Sequence, residues 1–407
     1  MLVDHVTFSK TGGAGEVASL LASAQRRFGV DAKLVSLVSR DLRREPFAHP
    51  EVTFTAAIDE FLVSNHSSPT ILSLYRSNLS ALNDNDIRRD SIVHLHWLPG
   101  VLTHKKIRAL LAKGRKVVWT LHDMAPFAGV CHHAFGCDGF LNKCSDCPQV
   151  KGVFRGAVEV NLTKKLFNQN EGNLIVVAPT PWLASKARGS SVFKNQRVEV
   201  IENPIRPEFF DHEKENSRNS PTIWDRGTVP EIFSLTAVAS DLGNPAKGIN
   251  DLVKIVRVLK QSSGGFHLGL VGRGGQSFHD PENGISWLGN LTASELAKVT
   301  KKTDLLLSAS RAESAGLVVR EFGAASVPTL ALRSGGISDL IETGKSGLLT
   351  DKVSDMGDAI QNLASDRAKC ARWGGRAAQL AERNKSEVVA QEYLSVYSQI
   401  PNPGLSR

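Results

Sequence analysis

Ser308-Ala309-Ser310-Arg311-Ala312-Glu313-Ser314-Ala315-Gly316-Leu317-Val318-Val319-Arg320-Glu321-Phe322-Gly323 joins two elements through one tight loop. The apolar run Leu305 to Ala309 has the length and composition of a buried strand, and a helix is expected to begin near Gly316 or Leu317. A strand entering a helix this abruptly is the unit from which parallel sheets are built. The turn points unpaired backbone N–H groups and the positive helix end at whatever lies beyond the strand, which suits a diphosphate. Gly316 permits close backbone approach. Glu313 just before the helix and Glu321 about one turn inside it can face one cleft, one carboxylate meeting a sugar and the other a ribose. Spacing alone favours a plainer reading, with Glu313 as a helix cap and Glu321 as a surface acid.

The same rhythm extends in both directions. Before this segment, Val3 to Phe8, Ala32 to Leu37, Ile92 to Trp97, Lys116 to Leu121 and Leu174 to Ala178 read as strands separated by amphipathic stretches. A new rhythm begins after Val198 to Pro204. The polar stretch Asp211 to Pro230 reads as a linker or surface loop. Beyond it, Phe233 to Ala239, Phe266 to Val271, Ile285 to Leu288, Leu305 to Ala309 and Thr329 to Leu332 are strand candidates. A chain of 407 residues, 41% hydrophobic and 22% charged, is an α/β protein of two domains, the first at 1–203 and the second at 204–385.

The net charge of +8 and pI of about 9.2 favour anionic partners: nucleotide diphosphates, anionic glycans, membrane surfaces or nucleic acid. No basic run with interleaved aromatics and no nucleic-acid-binding signature occurs, so nucleic acid is not expected as a partner. Met1 to Phe8 reaches a glycine loop before a signal-peptide core can form, and no 18 apolar residues run consecutively. A cytoplasmic protein is expected, peripheral at most to the inner face of the membrane.

Glu313 and Glu321 with seven residues between them, then Gly323-Ala324-Ala325-Ser326-Val327-Pro328-Thr329-Leu330-Ala331, Ser334-Gly335-Gly336-Ile337 and Gly344-Lys345-Ser346-Gly347, form a pattern. It resembles the retaining glycosyltransferases of family four. That resemblance covers nearly the whole chain and implies the GT-B fold, two Rossmann-like domains facing across a cleft. It implies that Glu313 contacts the donor sugar, that Glu321 holds the ribose hydroxyls, and that the amides of Gly316 and Leu317 hold phosphate. The loop Ser314-Ala315-Gly316 departs from the family's usual Gly-Phe-Gly but keeps the last glycine. The terminal stretch Ser386 to Ile400 resembles the family's last helix, which returns to the N-terminal domain, so 386–407 is grouped with it.

Lys247, in Ala246-Lys247-Gly248, resembles the family's Lys-Gly element and is the candidate for neutralising the diphosphate. Arg273, in a glycine-rich turn, is a candidate second cation or a solvated side chain. Gly13, in Gly12-Gly13-Ala14-Gly15 after the first strand, belongs to the family's glycine loop and is expected at the nucleotide sugar. The loop alone also suits a dinucleotide fold, but Ala32 to Leu37 ends in Val38-Ser39-Arg40 without the acidic residue that fold needs. His122, in His122-Asp123 at the end of a strand, matches the family histidine that touches the donor sugar; without the resemblance it is equally a histidine satisfied by backbone. His96 and Trp97 are candidate walls of the acceptor side. Asp84-Asn85-Asp86 has the spelling of a metal-binding acid pair but reads as a solvated turn, so no catalytic metal is implied.

Cys131, Cys137, Cys144 and Cys147 fall within 17 residues, beside His132 and His133. In a cytosolic chain this clustering suits a tetrahedral structural zinc, with reduced or air-oxidised thiols in a loop as the alternative. Cysteine-rich loops after His-Asp also occur in a subset of the family. The activity implied by the resemblance is transfer of a sugar, with retention, from a UDP- or GDP-sugar to a glycan or lipid-linked acceptor in bacterial polysaccharide biosynthesis. The alternative from another class is a non-catalytic carbohydrate-binding or scaffold protein of the same fold.

Overall fold

The computed structural model describes residues 1–37, 72–73, 82–99, 101–150, 152, 155–167, 171–210 and 232–401. The expected linker at 211–230 and the strand end at 38–40 lie outside the described residues. The chain divides into two compact units, Met1–Pro204 with Ser386–Arg407, and Ile205–Lys385.

In the first unit six parallel strands, β1 (Leu2–Thr7), β2 (Asp31–Ser36), β3 (Ile92–Leu95), β4 (Val117–Thr120), β5 (Leu174–Ala178) and β6 (Arg197–Val200), stand in the order β2-β1-β3-β4-β5-β6. Strands β3, β4 and β5 are buried at every position, as a parallel sheet covered on both faces requires. One apolar core runs from Val93 and Trp119 to Phe193. The other, around Val3, Leu21 and Val177, is closed by helix α1 (Gly13–Arg27) and by the chain's last described helix, Ser386–Ser398. That last helix buries Val389, Tyr393 and Tyr397.

In the second unit β7 (Phe233–Asp241), β8 (Phe266–Arg273), β9 (Ile285–Trp287), β10 (Leu305–Ser308), β11 (Thr329–Leu332) and β12 (Gly347–Thr350) form another parallel sheet. Its order is β12-β11-β10-β7-β8-β9. The chain therefore winds outward one way from β7 and the other way from β10. The point between them is where doubly wound sheets open a ligand crevice beyond the strand ends. Two edge strands escape the sequence reading. β6 alternates polar and apolar residues, and β12 is four residues introduced by a glycine, so neither shows a continuous apolar run.

Candidate functional site

The second unit brings three loops together at the C-terminal ends of β7, β10 and β11. After β7, Asn244 caps a single helical turn, Pro245–Lys247, by accepting from the Ala246 N–H. Gly248 follows in the left-handed conformation (φ 65°); a Cβ there would stand 2.4 Å from the Ala309 carbonyl, so only glycine lets this turn lie against the end of β10. After β10, Arg311 ties the two loops together. Its backbone N–H donates to Ala246 O (2.7 Å), and its guanidinium donates to Pro245 O (2.8 Å) and Asp251 (2.6 Å).

This stitching sets Lys247 Nζ 3.0 Å from Glu313 Oε2, with each side chain about a quarter exposed. The other oxygen, Oε1, accepts from the N–H groups of Ser314 (3.2 Å) and Gly316 (3.4 Å). Glu313 thus caps its own loop with one oxygen and meets a cation with the other. A partly exposed pair of this kind adds on the order of 1 kcal/mol to stability, so its role is placement. Gly316 is left-handed (φ 57°) and opens helix Leu317–Ala324. The third loop, Ser334-Gly335-Gly336, presses on Glu313 from behind: Gly336 N–H donates to Glu313 O (2.9 Å), and a Cβ on Gly335 would fall 2.1 Å from that oxygen.

Glu321 lies on the helix and is largely buried, with Arg206 Nη1 3.4 Å from its Oε1. It is not the solvated acid that spacing alone suggests. Arg206 and Arg311 were not among the expected site residues, because their partners lie 115 and 60 positions away in sequence. Arg273 ends β8 exposed, its Nε donating to Ser240 O at 3.2 Å.

In the first unit Gly13 is the first residue of α1, but the tight position is Gly15, where a Cβ would stand 2.1 Å from Ser9 O. His122 follows β4. Its Nε2 lies 3.3 Å from His96 Nδ1, and burial pushes its pKa down to about 4. His96, expected as a wall of the acceptor side, is 1% exposed and so offers almost no surface of its own to an acceptor. Trp97 Nε1 donates to Asp123 Oδ2 (2.7 Å), which also accepts from His132 Nδ1 (2.7 Å), while His132 Nε2 meets Ser73 Oγ at 2.9 Å. Burial favours the neutral Asp123 carboxyl, but His132 and the Ala125 N–H outweigh it and hold the group well below the usual carboxylate range. Asp84 opens a short helical turn and pairs with Lys106 and Lys113, as a solvated turn should.

The four clustered cysteines are free thiols lining one small cavity with Val130, Phe140 and Val158. The buried Lys165 ammonium holds the loop by donating to the carbonyls of Ala125 and Ala128 (both 2.7 Å) and Gly129 (3.3 Å). Burial pushes Lys165 down to about 7 and the Cys144 thiol up to about 11. Among the described residues, the group drawing three potential ligand atoms within 4.8 Å of one another is His5, His94 and His96, not the cysteines.

Residues 11–209 match the family described as Glycosyltransferase Family 4, and residues 234–366 match Glycosyl transferases group 1. A D-inositol 3-phosphate glycosyltransferase of Rhodococcus opacus is 32% identical over 115 residues, which cover 28% of this chain and 26% of that protein. The chain thus spans about a quarter of the length of the curated relatives it matches. Among solved structures, a glycosyltransferase from Rickettsia africae superposes with a TM-score of 0.60 at 15% identity, covering 98% of both chains. The Anabaena protein HepE, solved in complex with UDP, gives 0.59 at 16% identity, covering 98% of this chain and 100% of that one. No described helix is long and apolar enough to cross a membrane. With two Rossmann-like sheets, family matches falling on each, and GT-B structures aligning along its length, the chain belongs to glycosyltransferase family 4.

Proposed function

We propose that this glycosyltransferase moves a sugar from a nucleotide diphosphate sugar to a hydroxyl of a glycan or lipid-linked acceptor, with retained anomeric configuration, in polysaccharide assembly. The observation that carries this reading is the Lys247–Glu313 pair, set 3.0 Å apart where strand order reverses and just before the glycine that opens a helix. A cation, a carboxylate and a helix N-terminus converging there supply what a sugar diphosphate needs. Lys247 offsets the charge that develops on the leaving diphosphate. Glu313 takes hydroxyls of the donor sugar, and the amides of Gly316 and Leu317 take phosphate. Glu321, steadied by Arg206, accepts from the ribose. Arg273 is proposed as the second cation of the donor site, and Gly13 and His122 as further residues for the nucleotide sugar. UDP is the first nucleotide to test, since HepE was solved with it.

The cysteine loop is proposed to hold a structural zinc. Four sulfurs lining one cavity supply the ligand set, and Lys165 supplies positive charge beside a site that would carry net negative charge. Its sulfurs have to draw together to reach the metal. The net charge of +8 suits a lipid-linked acceptor on an anionic membrane surface.

The test is nucleoside diphosphate release from a panel of UDP- and GDP-sugars, with and without acceptor extract. Acceptor-dependent release that falls at least about 100-fold in Glu313→Gln supports the reading. Nucleotide binding without turnover, indifferent to that substitution, points instead to a carbohydrate-binding scaffold.

A further inference from the structure

Behind His122 the first unit buries a set of polar groups that the donor chemistry leaves unexplained. His5, His94 and His96, all at most 1% exposed, stand on β1 and at the end of β3, and their rings lie 4.3 to 5.4 Å apart. Three imidazoles this close invite a metal reading, but the ring nitrogens are already engaged. His94 Nδ1 meets Tyr397 Oη (2.6 Å) and its Nε2 meets Thr120 Oγ1 (2.8 Å). His5 Nε2 meets Gln25 Oε1 (2.9 Å), and His5 Nδ1 meets His96 Nε2 (3.1 Å). The remaining His96 nitrogen, Nδ1, meets His122 Nε2 at 3.3 Å. This is a hydrogen-bonded chain that ends at His122.

Its polarity follows from its root. Gln25 donates its amide N–H to Tyr397 Oη (3.0 Å) and presents its oxygen to His5. An amide oxygen only accepts, so His5 carries its proton on Nε2. Burial keeps His5 and His96 neutral, since both pKa values are pushed well down. A neutral imidazole has one donor and one acceptor. His5 Nδ1 is therefore an acceptor, so His96 Nε2 donates; His96 Nδ1 then accepts, so His122 Nε2 donates. Each ring decides the next, and the last decision falls on His122.

We infer that Gln25, His5 and His96 are positioning residues that hold His122 in one tautomer, proton on Nε2 and lone pair on Nδ1, so that Nδ1 accepts a hydrogen bond from a substrate hydroxyl. The inference rests on the proposed role of His122 at the donor sugar. It assigns that histidine the part of a neutral acceptor, whose orientation is fixed by residues that never touch substrate.

The direct test is nitrogen-15 NMR of the full chain labelled at histidine, where the two ring nitrogens of each tautomer have distinct shifts and the His122 signals are assigned by their loss in His122→Gln. His5, His96 and His122 are expected in the Nε2–H form. An Nδ1–H form or a tautomer mixture at His122 overturns the inference, and this measurement needs neither turnover nor a positioning variant. Gln25→Leu removes the root and is expected to lower kcat about 10- to 100-fold, by analogy with other partners that orient a functional histidine, with donor KM changed less than about 3-fold. An unchanged tautomer and kcat in Gln25→Leu overturns it. Unchanged turnover in His122→Ala refutes instead the catalytic reading on which the inference rests, and leaves the tautomer measurement standing.

Discussion

Gly335→Ala tests whether the backbone position of Glu313 matters to turnover. Gly335 has φ 51°, where a side chain costs about 1–2 kcal/mol, and its new Cβ would sit 2.1 Å from the Glu313 carbonyl oxygen. Relief of that contact requires a shift of about 1 Å. The neighbouring Gly336 N–H to Glu313 O bond, 2.9 Å, passes the shift directly to the residue paired with Lys247. A displacement of about 1 Å at a positioned group can lower rate about 100-fold. The matched control is Gly344→Ala, which has φ 80° in the same unit and open space around its Cβ. Both variants are expected to lose about 2–8 °C in Tm from backbone strain. Only Gly335→Ala is expected to lose about 100-fold in donor kcat/KM, measured by nucleoside diphosphate release. Equal kcat/KM in the two folded variants would refute the argument that Glu313 must be held in place.

Three further outcomes are expected. Lys247→Met removes the cation facing the leaving group and lowers kcat about 100- to 1000-fold, read in the same release assay. Purified protein carries about one zinc per chain by elemental analysis, and Cys144→Ser with Cys147→Ser loses it; no metal together with unaltered folding under chelation removes the zinc proposal. Stability falls as pH drops from 6.5 toward 4, because the unfolded chain takes up protons that buried neutral His5, with its pKa near 4, and His94 and His96 refuse. His5 alone contributes on the order of 3 kcal/mol above pH 6.5, lost through that window; a urea midpoint equal at pH 7.5 and pH 5 would contradict it.

What the amino-acid sequence makes legible here is what repeats locally. Apolar runs ending at small or charged residues locate ten of the twelve described strands, and Lys247-Gly248 and Glu313 announce themselves beside such ends. The edge strands β6 and β12 are hidden for different reasons: β6 is mostly exposed and alternates polar with apolar residues, while β12, though largely buried, offers only two consecutive leucines between a glycine and a threonine. Contacts that depend on tertiary closure are hidden more thoroughly. Nothing local in Arg206 distinguishes it from a surface arginine until Glu321 arrives beside it. His94 and His96 are visible as a pair on one strand face, but His5 and Gln25 join them only when β1, β3 and α1 come together. Glu313 shows the converse: the cap and the ligand reading compete on spacing, and its two oxygens let both geometries coexist.

The last helix, Ser386–Ser398, belongs to the unit that the first half of the chain builds, and Tyr397 closes a hydrogen bond with a residue 372 positions earlier. Synthesis from the N-terminus therefore leaves the first unit unfinished while the entire second unit is made. Until the segment Ser386–Ser398 has been made, Gln25 and His94 lack their tyrosine partner, and the apolar core around Val3 and Leu21 lacks one of the two helices that close it. A stop codon ahead of Ser386 would therefore damage the unit built from Met1–Pro204, and the unit Ile205–Lys385 could fold before it.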